Sequence, residues 1–111
     1  MNGTEKQINW ANKIINEALN NPFNGLLKTK KEMSVLLDKR QNKIDSGKWS
    51  GEQLEKRVKN TAEKRNELSD LCDFIEFISS CDDAAFIIEN RNIFTSLHPY
   101  QMSAQLKKWG N

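Results

Sequence analysis

Charged side chains are the residues of this 111-residue chain whose types and spacing suggest chemistry. Residues 28–65 contain twelve Lys and Arg against six Asp and Glu, whereas residues 67–89 contain seven Asp and Glu and no basic residue. Clustered cations bind phosphate oxygens, and clustered carboxylates bind basic surfaces. Although the net charge of the whole chain is only +2, this separation predicts binding to a large charged partner.

The candidate basic face comes from two consecutive lysine-rich segments and the short connector between them. On a helical wheel, their lysines fall opposite or beside the apolar positions of two predicted helices. They can therefore form one phosphate-contacting surface for DNA or RNA. The alternative is a solvated helix surface whose lysines pair with glutamates one turn away. The residues of this face are Lys28, Lys31, Lys39, Lys43, Lys48, Trp49, Lys56, Lys59 and Lys64.

The candidate acidic face consists of Glu67, Asp70 and Asp73. These carboxylates can imitate a phosphate backbone and bind a basic channel on another protein, or they can offset the basic segment within the fold. Glu67 and Asp70 share an arc of their predicted helix with Phe74 and Phe77. Exposed phenylalanines among carboxylates would indicate a binding surface, whereas buried ones would mean that another helix, with residues 84–90 the obvious one, covers this arc.

The sequence contains no recognisable catalytic or metal-binding motif. His98 is the only histidine, and Cys72 and Cys81 are too far apart on one helix to form a disulfide, which predicts two reduced thiols. Neither a zinc-type cysteine pair nor a phosphate-binding glycine loop is present. We therefore predict a binding protein that is not an enzyme and uses no cofactor or metal.

Apolar spacing predicts a single all-α domain of about five helices over residues 1–111. Thr4 can cap a first helix that ends near Leu19. A second helix covers residues 26–45 and ends at Ser46-Gly47, and a third starts at a Ser50 capping box and continues to about residue 80. These two form a long αα-hairpin. Shorter helices are predicted over residues 84–90, capped by Asp82 or Asp83, and over residues 100–109.

The third predicted helix has an apolar seam with a period close to 3.5 residues. Arg65 interrupts this seam, so its guanidinium must either pair with a carboxylate, with Glu17 and Glu76 as candidates, or extend along its stem to solvent. Such a seam is also compatible with dimerisation, so monomer and homodimer are both open. The predicted seam residues are Leu54, Val58, Thr61, Arg65, Leu68, Cys72, Ile75 and Ser79.

The beginning of the chain predicts a cytoplasmic protein. Charged residues occur throughout the first twenty positions, which is unlike a signal peptide. The apolar runs are shorter than the roughly 18 residues that cross a bilayer. We therefore expect no membrane association.

Residues 5–14 read EKQINWANKI and residues 83–91 read DAAFIIENR. Together, in this order, the two segments resemble a family of small proteins from phages and other mobile elements. Members of this family start with a similar E/P-K-Q-I-x-W-A-x-x-I motif and carry the second motif farther along, after a variable helical middle. Ile87 departs from the pattern, because an aromatic residue is common there. The resemblance implies a mobile-element context but no specific activity.

Gln7, Trp10, Phe86 and Arg91 are predicted to form a structural clamp between these two segments. If the first helix packs on residues 84–90, Trp10 and Phe86 can share a contact. Arg91 can then bond to Gln7, to Glu5 or to a carbonyl at a helix end.

The sequence as a whole predicts a non-enzymatic protein from a phage or mobile element that binds and inhibits a host macromolecule. A nucleic-acid-guided defence nuclease, the kind of target that anti-CRISPR proteins inhibit, is the first candidate, either as a host protein or as its protein–nucleic-acid complex. The alternative is a phage accessory protein that binds DNA or RNA directly through the basic hairpin.

Overall fold

The computed structural model describes residues 1–110, which confirm the predicted all-α fold. The described residues contain no β-strand and six helices, one more than the approximately five predicted. The helices are α1 (Glu5–Asn20), α2 (Leu26–Asp45), α3 (Gly51–Ser80), α4 (Ala84–Glu89), α5 (Arg91–Ser96) and α6 (Pro99–Lys108).

The ends of the first two helices follow the predicted signals. Thr4 Oγ1 accepts a hydrogen bond from the Gln7 amide at 3.2 Å, and Gln7 Oε1 accepts one from the Thr4 amide at 3.0 Å. This reciprocal capping box fixes the start of α1. Gly47 has a φ of +73°, which ends α2 in the left-handed conformation that glycine adopts without steric cost.

The predicted capping box at Ser50 is wrong. Ser50 is the N-cap residue of α3, but its side chain makes no capping hydrogen bond. Gly51, the next residue, has a φ of +60°. The chain therefore enters α3 through a glycine turn rather than through a serine cap.

The sequence did not predict α5, which begins at Arg91 and continues into the uncharged stretch between two expected helices. Asn90 has φ −104° and ψ 13°, which separates α4 from α5 by a single residue. Phe94 of α5 is buried in the core. Pro99 occupies the first position of α6, where its missing N–H costs no hydrogen bond.

Five aromatic rings, two of them from α3 itself, pack together near the C-terminal end of α3 and form the centre of the core. Phe74 of α3 lies 6.3 Å from Phe94 and 6.0 Å from Trp109, measured between ring centroids. Phe77 stacks on Trp109 at 5.3 Å and meets the edge of Phe86 at 6.0 Å. Phe74 is fully buried and Phe77 is partly buried. Helices α4, α5 and α6 therefore cover the side of α3 that carries the two phenylalanines, which the sequence analysis had left as either exposed or buried.

The molecule is elongated because α2 and the first half of α3 extend beyond this core. Its dimensions are 59 × 28 × 18 Å, and its radius of gyration is 17.3 Å, against about 13 Å for a compact domain of this length. The main hydrophobic cluster reaches Met33 and Leu68 at its edge, and Leu37, a buried aliphatic residue farther along α2, lies outside it. We call residues 34–67 the hairpin arm and the remainder the body.

The predicted seam of α3 is only partly confirmed, because the helix changes neighbours along its length: Thr61 is buried and Leu68 and Ile75 pack on the core, but other seam residues are exposed. In the arm, Thr61 is buried against α2, while Val58 and Arg65 are exposed. In the body, the buried residues are Leu71, Phe74 and Ile78, which lie about 100° around the helix from Thr61 at about 100° per residue. One straight seam cannot serve both packing partners.

Gly25, directly before α2, has no room for a side chain. A Cβ atom there would lie 2.6 Å from the Asn21 carbonyl oxygen and 2.7 Å from the Leu19 carbonyl oxygen. We expect Gly25→Ala to lower the free energy of unfolding by about 1–3 kcal/mol, because backbone atoms must shift. Urea denaturation measures this, with exposed Asn24→Ala as the control. Equal stability of the two variants would contradict the crowding.

Candidate macromolecule-binding arm

The outer face of α2, which points away from α3, carries exposed lysines around two exposed apolar side chains. Val35 and Leu36 are 46% and 45% exposed, and they lie side by side in a shallow depression bordered by Lys28, Lys31 and Lys39. Lys28, at the body end of the face, lies 3.8 Å from Glu32 and also donates to the Pro22 carbonyl oxygen at 3.0 Å. The other predicted lysines on this face, Lys31, Lys39 and Lys43, are exposed.

Trp49, in the connector between α2 and α3, packs against an arginine that the sequence analysis did not select. The Arg57 guanidinium carbon lies 3.8 Å from the centroid of the indole ring, which is a close cation–π contact. Beside this pair, a cavity of about 300 Å³ opens between the two helices. Its lining includes Lys39, Arg40 and Lys43. The sequence-based prediction therefore did not include Arg40 and Arg57. Helical spacing could have indicated them, because Arg40 lies one turn before Lys43 and Arg57 lies one turn before Thr61.

The predicted basic residues do not form one continuous face. Lys56 and Lys59 are exposed on the side of α3 that points away from α2, together with glutamates of the same helix. Lys64 Nζ lies 2.9 Å from Glu67 Oε2, so this lysine is paired. Lys48 is exposed in the connector. The cations concentrate instead on α2 and around the cavity.

Arg65 bonds to an amide rather than to a carboxylate. Its Nη2 donates to Gln41 Oε1 at 2.7 Å, and Gln41 Nε2 donates to Asp45 Oδ1 at 2.9 Å. The predicted pairing with Glu17 or Glu76 is therefore wrong. Gln41 and Asp45 lie on the edge of α2 that faces away from the cavity. The hydrogen bonds from Arg65 through Gln41 therefore hold the Asp45 carboxylate away from the cations that line the cavity.

The predicted acidic face divides between the arm and a groove in the body. Glu67 pairs with Lys64. Asp70 and Asp73 line a groove between α3 and α6 together with Glu76, Asp82 and Lys107. Asp83 caps α4, since its Oδ1 accepts from the Phe86 amide at 3.3 Å. Glu67 therefore offsets a lysine of the basic segment, as the second interpretation expected, whereas Asp83 serves the fold as a helix cap.

The four residues of the predicted clamp do not form one contact but lie in three separate arrangements. Arg91 Nη1 donates to the Ile88 carbonyl oxygen at 2.6 Å, one of the three partners considered, and its guanidinium carbon lies 5.4 Å from the Trp10 ring centroid. Phe86 packs instead in the aromatic cluster, 5.2 Å from Trp109. Gln7 caps α1. The two motifs do meet, because α1 packs on α4.

We expect Arg91→Ala to lower the free energy of unfolding by about 1 kcal/mol. The variant loses one charged hydrogen bond and one exposed cation–π contact, and solvent weakens both. Arg91→Lys should recover part of this loss, which chemical denaturation measures. Unchanged stability together with loss of partner binding would instead identify Arg91 as a contact residue.

Both cysteines are free and partly buried, as predicted. The His98 ring stacks on Tyr100 at 5.4 Å between centroids. Within residues 1–110, every helix is too short or too polar to cross a membrane.

Comparisons with models of known protein families, with characterised proteins and with solved structures found no match to this chain. The resemblance to a mobile-element family therefore stays a prediction based on residues 5–14 and 83–91.

Proposed function

We propose that this protein is a non-enzymatic binding protein whose hairpin arm docks on a host macromolecule and inhibits or redirects it. The observation that supports this most is the arm itself, which extends from the body with its cations concentrated on α2 and around the cavity. The outer face of α2, with exposed Lys31, Val35 and Leu36, lies away from α3 and is accessible to a partner.

The composition of the outer face favours a partner that contains protein. Exposed Val35 and Leu36 among lysines complement a surface with an apolar centre and an acidic rim, which is a common interface pattern. Plain nucleic acid offers less for such aliphatic side chains. A nucleic-acid-guided defence nuclease, which combines protein surface with bound guide and target strands, provides both kinds of contact and is the first target to test.

Affinity capture from a host lysate tests this proposal, with and without nuclease treatment. We expect a specific host protein to be retained in both samples, or only without nuclease if bound strands contribute to the contact. The captured protein is then purified and its activity is measured with added protein. Failure to capture a host protein, or a captured enzyme whose activity does not change, contradicts the proposal.

Direct binding to DNA or RNA is the second candidate, and the cation-lined side of the arm favours it. Lys39, Arg40, Lys43 and Arg57 line one cavity without any carboxylate among the lining residues. If the arm binds free strands, affinity for plain duplex or single-stranded DNA falls steeply as salt rises, because phosphate contacts release counterions. Absence of binding at low salt, combined with capture of a host protein, favours the first candidate.

A further inference from the structure

We infer that the cavity between α2 and α3 binds a nucleotide unit, with its phosphate against the arginines and lysines and its base against Trp49. This inference rests on the proposed function, which it deepens by naming the chemical group that the arm binds. Several independent features of the cavity support it.

The first feature is the charge of the lining. Four of its nine residues are cationic, namely Lys39, Arg40, Lys43 and Arg57, and none is acidic. Among residues 1–110, the ion pairs are Lys28–Glu32 and Lys64–Glu67, so none of the four cations has a carboxylate partner. Like charges gathered in one concavity raise the local potential, and a bound anion lowers it.

The second feature is the location of the nearby carboxylates. Asp45 accepts from Gln41, which in turn accepts from Arg65, on the other edge of α2. Asp38 lines a separate depression that includes Arg65. The glutamates of the first four turns of α3 point outward, about 100° or more from Arg57 and Thr61 on the helical wheel. The cavity side of the arm is therefore cationic because its acids face elsewhere.

The third feature is the flat surface beside the cations. Trp49 and Arg57 lie 3.8 Å apart in a cation–π pair, and Trp49 is partly buried. Indole rings and guanidinium planes both stack on nucleobases. Exposed Asn60 supplies an amide at the same edge, which can hydrogen-bond to a base or sugar. A bare phosphate would leave this aromatic surface unused.

The fourth feature is size. A volume of about 300 Å³ lies at the lower end of the range for small-molecule sites, roughly 300–1,000 Å³. It suits one nucleotide unit, supplied either by a free nucleotide or by one position of a DNA or RNA strand. The chemistry is the same in both cases, so the experiment must separate the two sources.

Nuclear magnetic resonance of the full-length, nitrogen-15-labelled protein tests the inference. The probes are AMP, adenosine, inorganic phosphate and a short single-stranded oligoadenylate, each titrated at the same ionic strength. We expect AMP to shift the Trp49 indole N–H signal and to bind more tightly than adenosine or phosphate. Equal effects of AMP and adenosine, or no Trp49 shift with AMP at millimolar concentration, would overturn the inference.

Variants that each lose one positive charge, inside or outside the cavity, identify the residues that bind the nucleotide. Arg40→Gln and Arg57→Gln should each weaken AMP binding about tenfold, the loss expected for one charge-assisted contact. Arg65→Gln removes the same charge from the other side of the arm and should change the affinity by less than about twofold, as expected for a screened, exposed charge. An equal loss in Arg65→Gln would show a diffuse charge effect and overturn the site.

The oligoadenylate separates the two sources of the nucleotide. Affinity about tenfold or more above that of AMP assigns the site to a strand, because neighbouring phosphates add contacts. Affinity equal to that of AMP assigns it to a free nucleotide. If host capture persists without any AMP binding, only this inference fails, whereas AMP binding without capture of a host protein contradicts only the proposed function.

Discussion

Phe74→Ala is expected to lower the free energy of unfolding by about 3–5 kcal/mol, the largest loss of any single substitution proposed for this protein. Phe74 is fully buried and touches rings from two other helices, Phe94 of α5 and Trp109 at the end of α6. Removing its ring leaves a cavity where these elements meet. Urea denaturation followed by circular dichroism measures the loss.

Phe23→Ala is the matched control, because it removes the same ring from a site that is 88% exposed. Its unfolding free energy should stay within about 0.5 kcal/mol of the unsubstituted protein. Phe74→Leu, which keeps most of the apolar volume, should lose much less than Phe74→Ala and provides a folded variant if the alanine variant does not fold. Equal stability of Phe74→Ala and Phe23→Ala would mean that the aromatic cluster is not the core.

Reversing three charges on α2 is expected to weaken target binding about a hundredfold or more, which corresponds to about 2.7 kcal/mol. The variant combines Lys39→Glu and Lys43→Glu in the arm with Lys31→Glu, which lies one turn before the arm on the same exposed side of α2. Each reversal replaces an attraction to an anionic partner with repulsion, and like-charge contacts at an interface are costly. The affinity for the captured host protein, measured by surface plasmon resonance, checks this result.

The control variant makes the same change in net charge on the body. It combines Lys6→Glu, Lys13→Glu and Lys108→Glu, which are also exposed. If the arm is the binding surface, the control should bind within about threefold of the unsubstituted protein, because screening weakens charges beyond about 10 Å at 0.1 M salt. Equal losses in the two variants would mean that overall charge, rather than the arm, determines the affinity. Circular dichroism confirms that both variants are folded.

Local signals predicted the helices well. Thr4 identified the start of α1, and Ser46-Gly47 identified the end of α2, because caps and left-handed glycines act within one turn of the chain. The failures were also local. Ser50 has the residue type of a cap but makes no capping hydrogen bond, and Gly51 after it has a positive φ. The residue before α5, Asn90, likewise makes no side-chain capping bond, so no cap marks where α5 begins.

The candidate site was predicted in part. The sequence identified Lys39, Lys43 and Trp49, which do lie together, but it missed Arg40 and Arg57. It also assigned Lys56 and Lys59 to the same face, although they point away from α2. A single helical wheel gives the angle of a residue about its own helix, but the rotation of one helix against another depends on packing between them.

The sequence by itself determined the helical class, the hairpin and the segregation of charge, because these depend on spacing along the chain. Only the tertiary structure decided which side of α3 is buried and where the charges face. That helix packs on α2 in the arm and on α6 in the body, so its buried side turns between Thr61 and Phe74. The carboxylates of the arm consequently lie outside the cavity, and four cations line it. Such an arrangement depends on contacts between residues that are distant in sequence.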